Sequence, residues 1–396
     1  MRNKELLFIK LGFFLLFLSS MYPWMTWRVG VLFSIVLSLL FSVPFFPRLC
    51  KYSKKWSITL FFVLLLAIWE STRLNYFGII VRLVSILPVW VLTTFDDKTH
   101  KEILDFILKW FSILLGISLV TYILVKIGIP LPSSEISYSE MDGYDVFQNY
   151  YFCITKPLSF RFQSIFLEPG HMTMGIAPLL YLYRYNLRNK YVLILFLAQL
   201  FSLSLAGYLV MAAGFILQLL FDRDKKSKFS FKPVLLFSII ITALVIYLPK
   251  ITAEEDIFDL ALISRLDKYS ETGFTRTSED FDYLFDRVIA SDNKWTGIPM
   301  DTSDLGGAGI KKYIVGYGII GILLSFFLYL SPTLVFRKRS VFLFCFILLL
   351  LLAQNTYPSW FCALISLISG TTMLNMKGKG DRVYDNLYAQ KLNIES

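Results

Sequence analysis

The chain has 396 residues, 56% hydrophobic and only 17% charged, with a formal net charge of +10 and a mean hydropathy of +0.60. Apolar runs recur from end to end with short polar breaks between them. No soluble domain of this size needs so many, whereas a bilayer span takes about 20 apolar residues. The basic residues are scattered over short turns rather than gathered on one folded face, so the charge is not a nucleic-acid footprint. The four cysteines lie far apart and form neither a disulfide framework nor a zinc spacing.

In chain order the apolar runs predict an all-α polytopic membrane protein, one membrane domain over 1–396. About twelve transmembrane helices are expected, at roughly 6–22, 29–47, 58–72, 77–94, 104–128, 170–184, 191–205, 206–221, 233–249, 313–336, 340–353 and 358–375. Several are short, which allows tilted or re-entrant pieces. Residues 6–18 are similar to a signal peptide, but no small-residue cleavage site follows, so an uncleaved first span is expected.

Lysine and arginine set the orientation. With the N-terminus in the cytoplasm, the inner segments collect Arg48, Lys51, Lys54 and Lys55, then Lys98 and Lys101, then Arg184, Arg188 and Lys190. Arg223 to Lys232, Arg337 to Arg339 and the tail from Lys377 to Lys391 continue the alternation. Both termini are therefore expected in the cytoplasm.

Two outer segments break the rhythm of short turns, 129–169 and 250–312, and long loops in a compact protein usually carry function or disorder. Tyr138, Tyr144, Phe147, Tyr150, Tyr151 and Phe152 argue against disorder in the first. In the second, Phe281, Leu284, Phe285, Val288 and Ile289 follow the spacing of one apolar helix face. Thr277 and Asp280 resemble a capping box at its start. This helix is expected to lie on the outer surface as a lid or wall.

The stretch SFRFQSIFLEPGHMTMG, 159–175, concentrates the chemistry. Pro169 suits a first helical position and pushes Glu168 out of helical geometry, so Glu168 is expected at the N-cap of the sixth span. The helix dipole there favours a carboxylate. His171 follows one turn on, Gly175 leaves that face open to close approach, and Arg161 is near enough in sequence to fold back. A plain anchor, with Arg161 paired to Glu168, satisfies the same spacing, and His171 alone is a weaker signal, since an interfacial histidine is more often a hydrogen-bonded wall residue.

Other charges need weighing. Arg265 in ISRLDKYSETG and Arg276 in GFTRTSED stand among glycine, hydroxyls and aromatics, where an arginine can hold a phosphate bidentately. Gly297 to Gly309 is glycine-rich but lacks the strand–turn–helix setting of a nucleotide loop. Asp222–Arg223–Asp224 is a solvated cytoplasmic turn. Arg82 in IIVRLVSILPVW is costly inside a bilayer and requires a cavity, a partner or snorkelling, a lipid phosphate being one candidate partner.

RFQSIFLEPGHMTMG resembles the R-x-x-x-x-F-x-E-P-G signature of the O-antigen polymerases (Wzy type) within the bacterial polysaccharide polymerase and O-antigen ligase superfamily. SLSLAGYLVM, the segments ISRL, GFTR and DYLF, and GAGIKKYIVGYGIIGILL are similar to the family as well. The resemblance extends to the whole topology, a membrane glycosyltransferase with two large outer loops. It implies an enzyme that joins oligosaccharide repeat units carried on undecaprenyl pyrophosphate at the outer, periplasmic face of the cytoplasmic (inner) membrane. The related ligases carry a histidine before the late glycine-rich span. Here Lys311, Lys312 and Tyr313 stand there, and the only histidines are His100 and His171, which favours the polymerase.

The reaction expels a lipid pyrophosphate, whose charge needs stabilising. Arg161, Arg265 and Arg276, with Arg82 within the membrane, are the candidate ligands for pyrophosphate or glycan. No metal or other cofactor is expected. The acceptor hydroxyl profits from a base, with Glu168 the first candidate and His171 the second. Partners would be the lipid-linked oligosaccharide, membrane lipid and, from the resemblance, a chain-length-regulating co-polymerase; no nucleic acid is expected. A secondary transporter or lipid-linked glycan flippase is the alternative of another class, although no internal repeat is found.

Overall fold

The structure, a computed structural model, describes residues 3–27, 29–49, 54–73, 76–140, 143–156, 161–221, 279–299, 309–336, 339–354 and 361–376. The chain opens with α1 (Asn3–Ser19), α2 (Gly30–Ser42), a short α3 (Phe46–Leu49), α4 (Ser57–Ser71), α5 (Tyr76–Thr93) and a long α6 (Asp97–Lys126). An antiparallel sheet follows, built from β1 (Ser134–Glu140), β2 (Gly143–Asn149) and β3 (Ile154–Thr155) in that order. Next come α7 (Pro169–Leu182), α8 (Lys190–Phe201) and α9 (Leu205–Phe221). The last described elements are α10 (Glu279–Ala290), α11 (Asn293–Thr296), α12 (Gly309–Val335), α13 (Arg339–Gln354) and α14 (Phe361–Met376).

The architecture is mostly helical. Each expected apolar span coincides with a helix except 233–249, which lies outside the described residues. Arg265, Arg276, Thr277 and the Asp222–Arg223–Asp224 turn lie outside them too, as does most of the glycine-rich stretch. Among the described residues, two helices, Asp97–Lys126 and Ile310–Leu334, are long and apolar enough to cross a bilayer by length and composition. Shorter apolar helices cover Leu32–Phe45, Ile79–Thr93, Lys190–Phe201, Ala206–Gln218 and Phe361–Met376. The outward faces of the helices are apolar as well: Leu40 is 67% exposed and Leu334 65%. A water-facing helix ordinarily shows a polar face there.

α4 packs between α5 and α12, α6 between α1 and α8, and α7 against α8, α9 and α13. α7 is the innermost helix, with every residue buried except Gly170 and His171. Small residues make its close packing possible. A Cβ on Gly175 would lie 2.6 Å from Met21 Sδ, and one on Gly207 would lie 2.8 Å from Thr173 Oγ1. The SLSLAG stretch thus works here as a packing motif between α7, α8 and α9.

The sheet adds a β element to the all-α expectation, in the first outer segment, expected as a loop. SEISYSE alternates polar with apolar residues, a period of two that suits a strand. Phe147 and Ile154 are fully buried and, with Leu167, pack against Trp24, Trp27, Ile136 and Tyr138. The amphipathic helix of the second segment forms as α10. Phe281 and Val288 are buried against Val315 of α12, and Lys311 reaches Asp282 at 2.7 Å. Ile289, expected on the same apolar face, is instead 37% exposed.

α12 is broken near its start. Gly318 has φ 68° and ψ −175°, and Gly297, just after α11, has φ 70°. Both values favour glycine. The two backbones nearly touch: a Cβ on Gly318 would lie 2.6 Å from the Gly297 nitrogen. Ile298 N–H also donates to the Val315 carbonyl at 2.8 Å. The break leaves the Tyr317 carbonyl to accept the Trp69 indole N–H of α4 at 2.9 Å.

Candidate functional site

Two corners of the molecule gather charge. At the first, Glu168 is the N-cap residue of α7, with an extended backbone at φ −140° and ψ 152° and Pro169 in the first turn. The backbone N–H groups of His171 and Met172 donate to the Glu168 carbonyl at 3.1 and 3.4 Å. The Glu168 side chain makes no capping bond and is exposed, so its carboxylate is accessible at the positive end of a buried helix.

The α1–α2 turn wraps this corner. Trp24 N–H donates to the Ile165 carbonyl at 2.9 Å and Leu167 N–H to the Tyr22 carbonyl at 3.2 Å. The Trp27 and Trp24 indoles donate to the carbonyls of Tyr22 and Tyr151, each at 3.1 Å. The half-buried His171 ring lies 5.5 Å from the Tyr22 ring. Segment 162–167 is buried throughout; Ser164 Oγ is 2.7 Å from Ser118 Oγ of α6. Behind it Cys153 is fully buried, and that burial pushes its thiol up to about 12, which makes it an unreactive packing residue.

Arg161 enters the corner from the side of α8 and α9. The adjacent Phe162 N–H donates to the Phe201 carbonyl at 3.0 Å, and the Arg161 charge acts on the Tyr208 hydroxyl. Among the described residues no ion pair joins Arg161 to Glu168. The structure therefore places an exposed Glu168 and a half-buried His171 in the first turn of α7 and Arg161 next to the end of α8, without the bond that the plain-anchor reading requires.

The second corner is buried. Arg82 Nε of α5 lies 3.1 Å from Glu70 Oε2 of α4, with side-chain exposures of 20% and 0%. The Tyr313 hydroxyl of α12 donates to Glu70 Oε1 at 3.3 Å and lies 3.2 Å from Ser325 Oγ. A cavity of about 20 Å³, room for one water, is lined by Glu70, Arg82 and Ser85 among apolar residues of α4, α5, α12 and α14. The partner that Arg82 needs is thus a carboxylate of its own chain.

Sequence reading missed Glu70. It sits in WESTRLNYFG, where a carboxylate ordinarily marks a solvated turn, and what buries it is α12, 243 positions away. The aromatic turn MYPWMTW around the first corner was missed for the same reason; its three aromatics in six residues were the available signal. Among the described residues no group of three His, Cys, Asp or Glu side chains is arranged to hold a metal ion. In comparisons with known proteins, no family model, no curated protein and no solved structure matches the chain.

Proposed function

We propose that this chain is an integral glycosyltransferase of the cytoplasmic membrane that polymerises oligosaccharide repeat units carried on undecaprenyl pyrophosphate. The observation that carries the proposal is the first corner. An exposed carboxylate is fixed at the N-cap of a buried helix, a histidine follows one turn on, and an arginine seven residues upstream lies next to the end of α8. A folded loop and an aromatic turn wall this group. The apolar outward faces, with Leu40 and Leu334 about two-thirds exposed, support a bilayer surround. The turn at 20–27 meets the described part of the first outer loop through the Trp24 bonds to Tyr151 and Ile165, which supports placing both on one side of the bilayer.

In this mechanism Glu168 takes the proton from the acceptor hydroxyl as that oxygen attacks the anomeric carbon of the donor. The bond from that carbon to the lipid pyrophosphate breaks, and the pyrophosphate leaves with its electron pair. Arg161, together with Arg265 and Arg276, stabilises the departing charge. His171 orients or shares the proton, backed by Tyr22. No metal is required by this scheme, so activity in membranes treated with excess chelator is expected to persist.

Replacing Arg161, Arg265 or Arg276 by Ala is expected to abolish chain extension while protein levels hold; full-length polymer from all three overturns the pyrophosphate assignment. One observation favours a second reading. Glu70 and Arg82 form a charged pair among apolar helices, a feature shared with transporters, and a flippase lacking all surface glycan on deletion would carry it.

A further inference from the structure

The buried pair reassigns the arginines around α4 and α5. Arg82 is committed to Glu70 at 3.1 Å. Arg73, two residues past the end of α4, is held differently. Its guanidinium lies 5.3 Å above the Trp69 ring, its Nε is buried without a hydrogen-bond partner, and among the described residues no ion pair engages it. An arginine offers five N–H donors in a planar fork matched to phosphate oxygens.

The guanidinium is held in place by a chain of contacts. The α12 break at Gly318 leaves the Tyr317 carbonyl to accept from the Trp69 indole at 2.9 Å. That bond fixes the ring on which Arg73 stacks. Below it runs an apolar stripe on α4, with Phe61, Leu64 and Ile68 exposed at 56%, 42% and 46%, joined by Ile80 and Leu83 of α5 at 54% and 44%. The stripe ends at the exposed Thr72 and the half-buried Arg73. An apolar wall capped by tryptophan and arginine has the chemistry of the headgroup boundary.

We infer that Arg73, stacked on Trp69 at the end of this stripe, binds the phosphate of a bilayer phospholipid whose acyl chains lie along α4 and α5. The inference rests on the membrane reading above but not on the glycan chemistry. The site is separate from the Glu168 corner and is made by α4, α5 and the broken α12. The lipid would tie the outer ends of these helices together.

The test is native mass spectrometry of the detergent-purified full chain titrated with dioleoylphosphatidylglycerol. Wild type is expected to bind the first lipid about tenfold more tightly than Arg73→Ala, the loss typical of one charge-assisted pair. Trp69→Phe, which keeps a ring but loses the indole bond, is expected to weaken it about threefold by leaving the guanidinium less ordered. Arg188→Ala, an exposed arginine in the α7–α8 turn, is expected to match wild type, and dioleoylglycerol, which lacks the phosphate, to show no Arg73 dependence. Equal retention by wild type and Arg73→Ala overturns the assignment, and so does displacement of the lipid by excess inorganic phosphate. Arg161→Ala keeping phosphatidylglycerol while losing undecaprenyl pyrophosphate confirms two separate sites. Recovery of the chain in the soluble fraction without detergent would instead sink the membrane reading itself.

Discussion

Arg82→Met is expected to destabilise the protein far more than Glu70→Gln, although each breaks the same ion pair. The asymmetry comes from burial, since the Glu70 side chain is fully buried and Arg82 is 20% exposed. Removing Arg82 strands a fully buried carboxylate, bonded to the Tyr313 hydroxyl at 3.3 Å, without its counter-charge, and breaking a buried pair in this way costs about 3–5 kcal/mol. Glu70→Gln removes the charge, keeps an acceptor for Tyr313, and leaves an arginine long enough to reach a polar boundary. A lost hydrogen bond to a charged group costs about 1.5–3 kcal/mol. The double variant Glu70→Gln/Arg82→Met leaves no buried charge and is expected within about 1 kcal/mol of the Glu70→Gln value, because once Glu70 is neutral the loss of Arg82 strands no uncompensated charge. The assay is equilibrium or thermal unfolding of the purified protein in one detergent, read as a double-mutant cycle. Equal losses from the two single variants, or strict additivity in the double variant, would refute this account of the buried corner.

Three further outcomes follow from particular contacts. Gly318→Ala is expected to cost about 1–3 kcal/mol, since a Cβ would occupy a left-handed backbone position and meet Gly297 at 2.6 Å; a melting temperature equal to wild type would contradict it. Asp96 caps α6 by accepting the Thr99 N–H at 3.0 Å, and its bonds with Thr99 hold its carboxyl below the ordinary aspartate range. Asp96→Ala is therefore expected to cost about 1 kcal/mol near neutral pH. A depressed folded pKa gives a contribution present above about pH 4 and lost as pH falls through the lower folded value, so the two melting curves should converge in acid; a gap that does not change with pH counts against the cap. At the first corner Glu168→Gln is expected to slow chain extension more than Glu168→Asp, measured as polymer per cell at matched protein level. Equal activity of the two variants would leave Glu168 as a surface residue.

The helices and the positive end of α7 were legible in the sequence because both follow from local rules. Continuous apolar runs favour helix, and Pro169 both starts α7 and extends the backbone of Glu168 at φ −140°. The close approach at Gly175 was readable too, since a small residue on an inward face invites a neighbour, here Met21. What the sequence did not disclose depends on residues far apart. Glu70 becomes buried only when α12 closes over α4, whereas its pairing with Arg82 needs the next helix, α5, to pack back on α4. The Trp69 ring under Arg73 is fixed by the break at Gly318, a position that reads as one more glycine in GYGIIG. The sheet at 134–155 was hidden by expecting a helical fold, although Ile136 and Tyr138 already alternate with polar residues.

The length of surface glycan in a strain lacking this chain tests the central claim most directly. The account predicts glycan bearing a single repeat unit, with lipid-linked units still delivered to the outer face and still attached. Long polymer in the deletion strain would contradict it, and complete loss of surface glycan would assign the chain to transport instead.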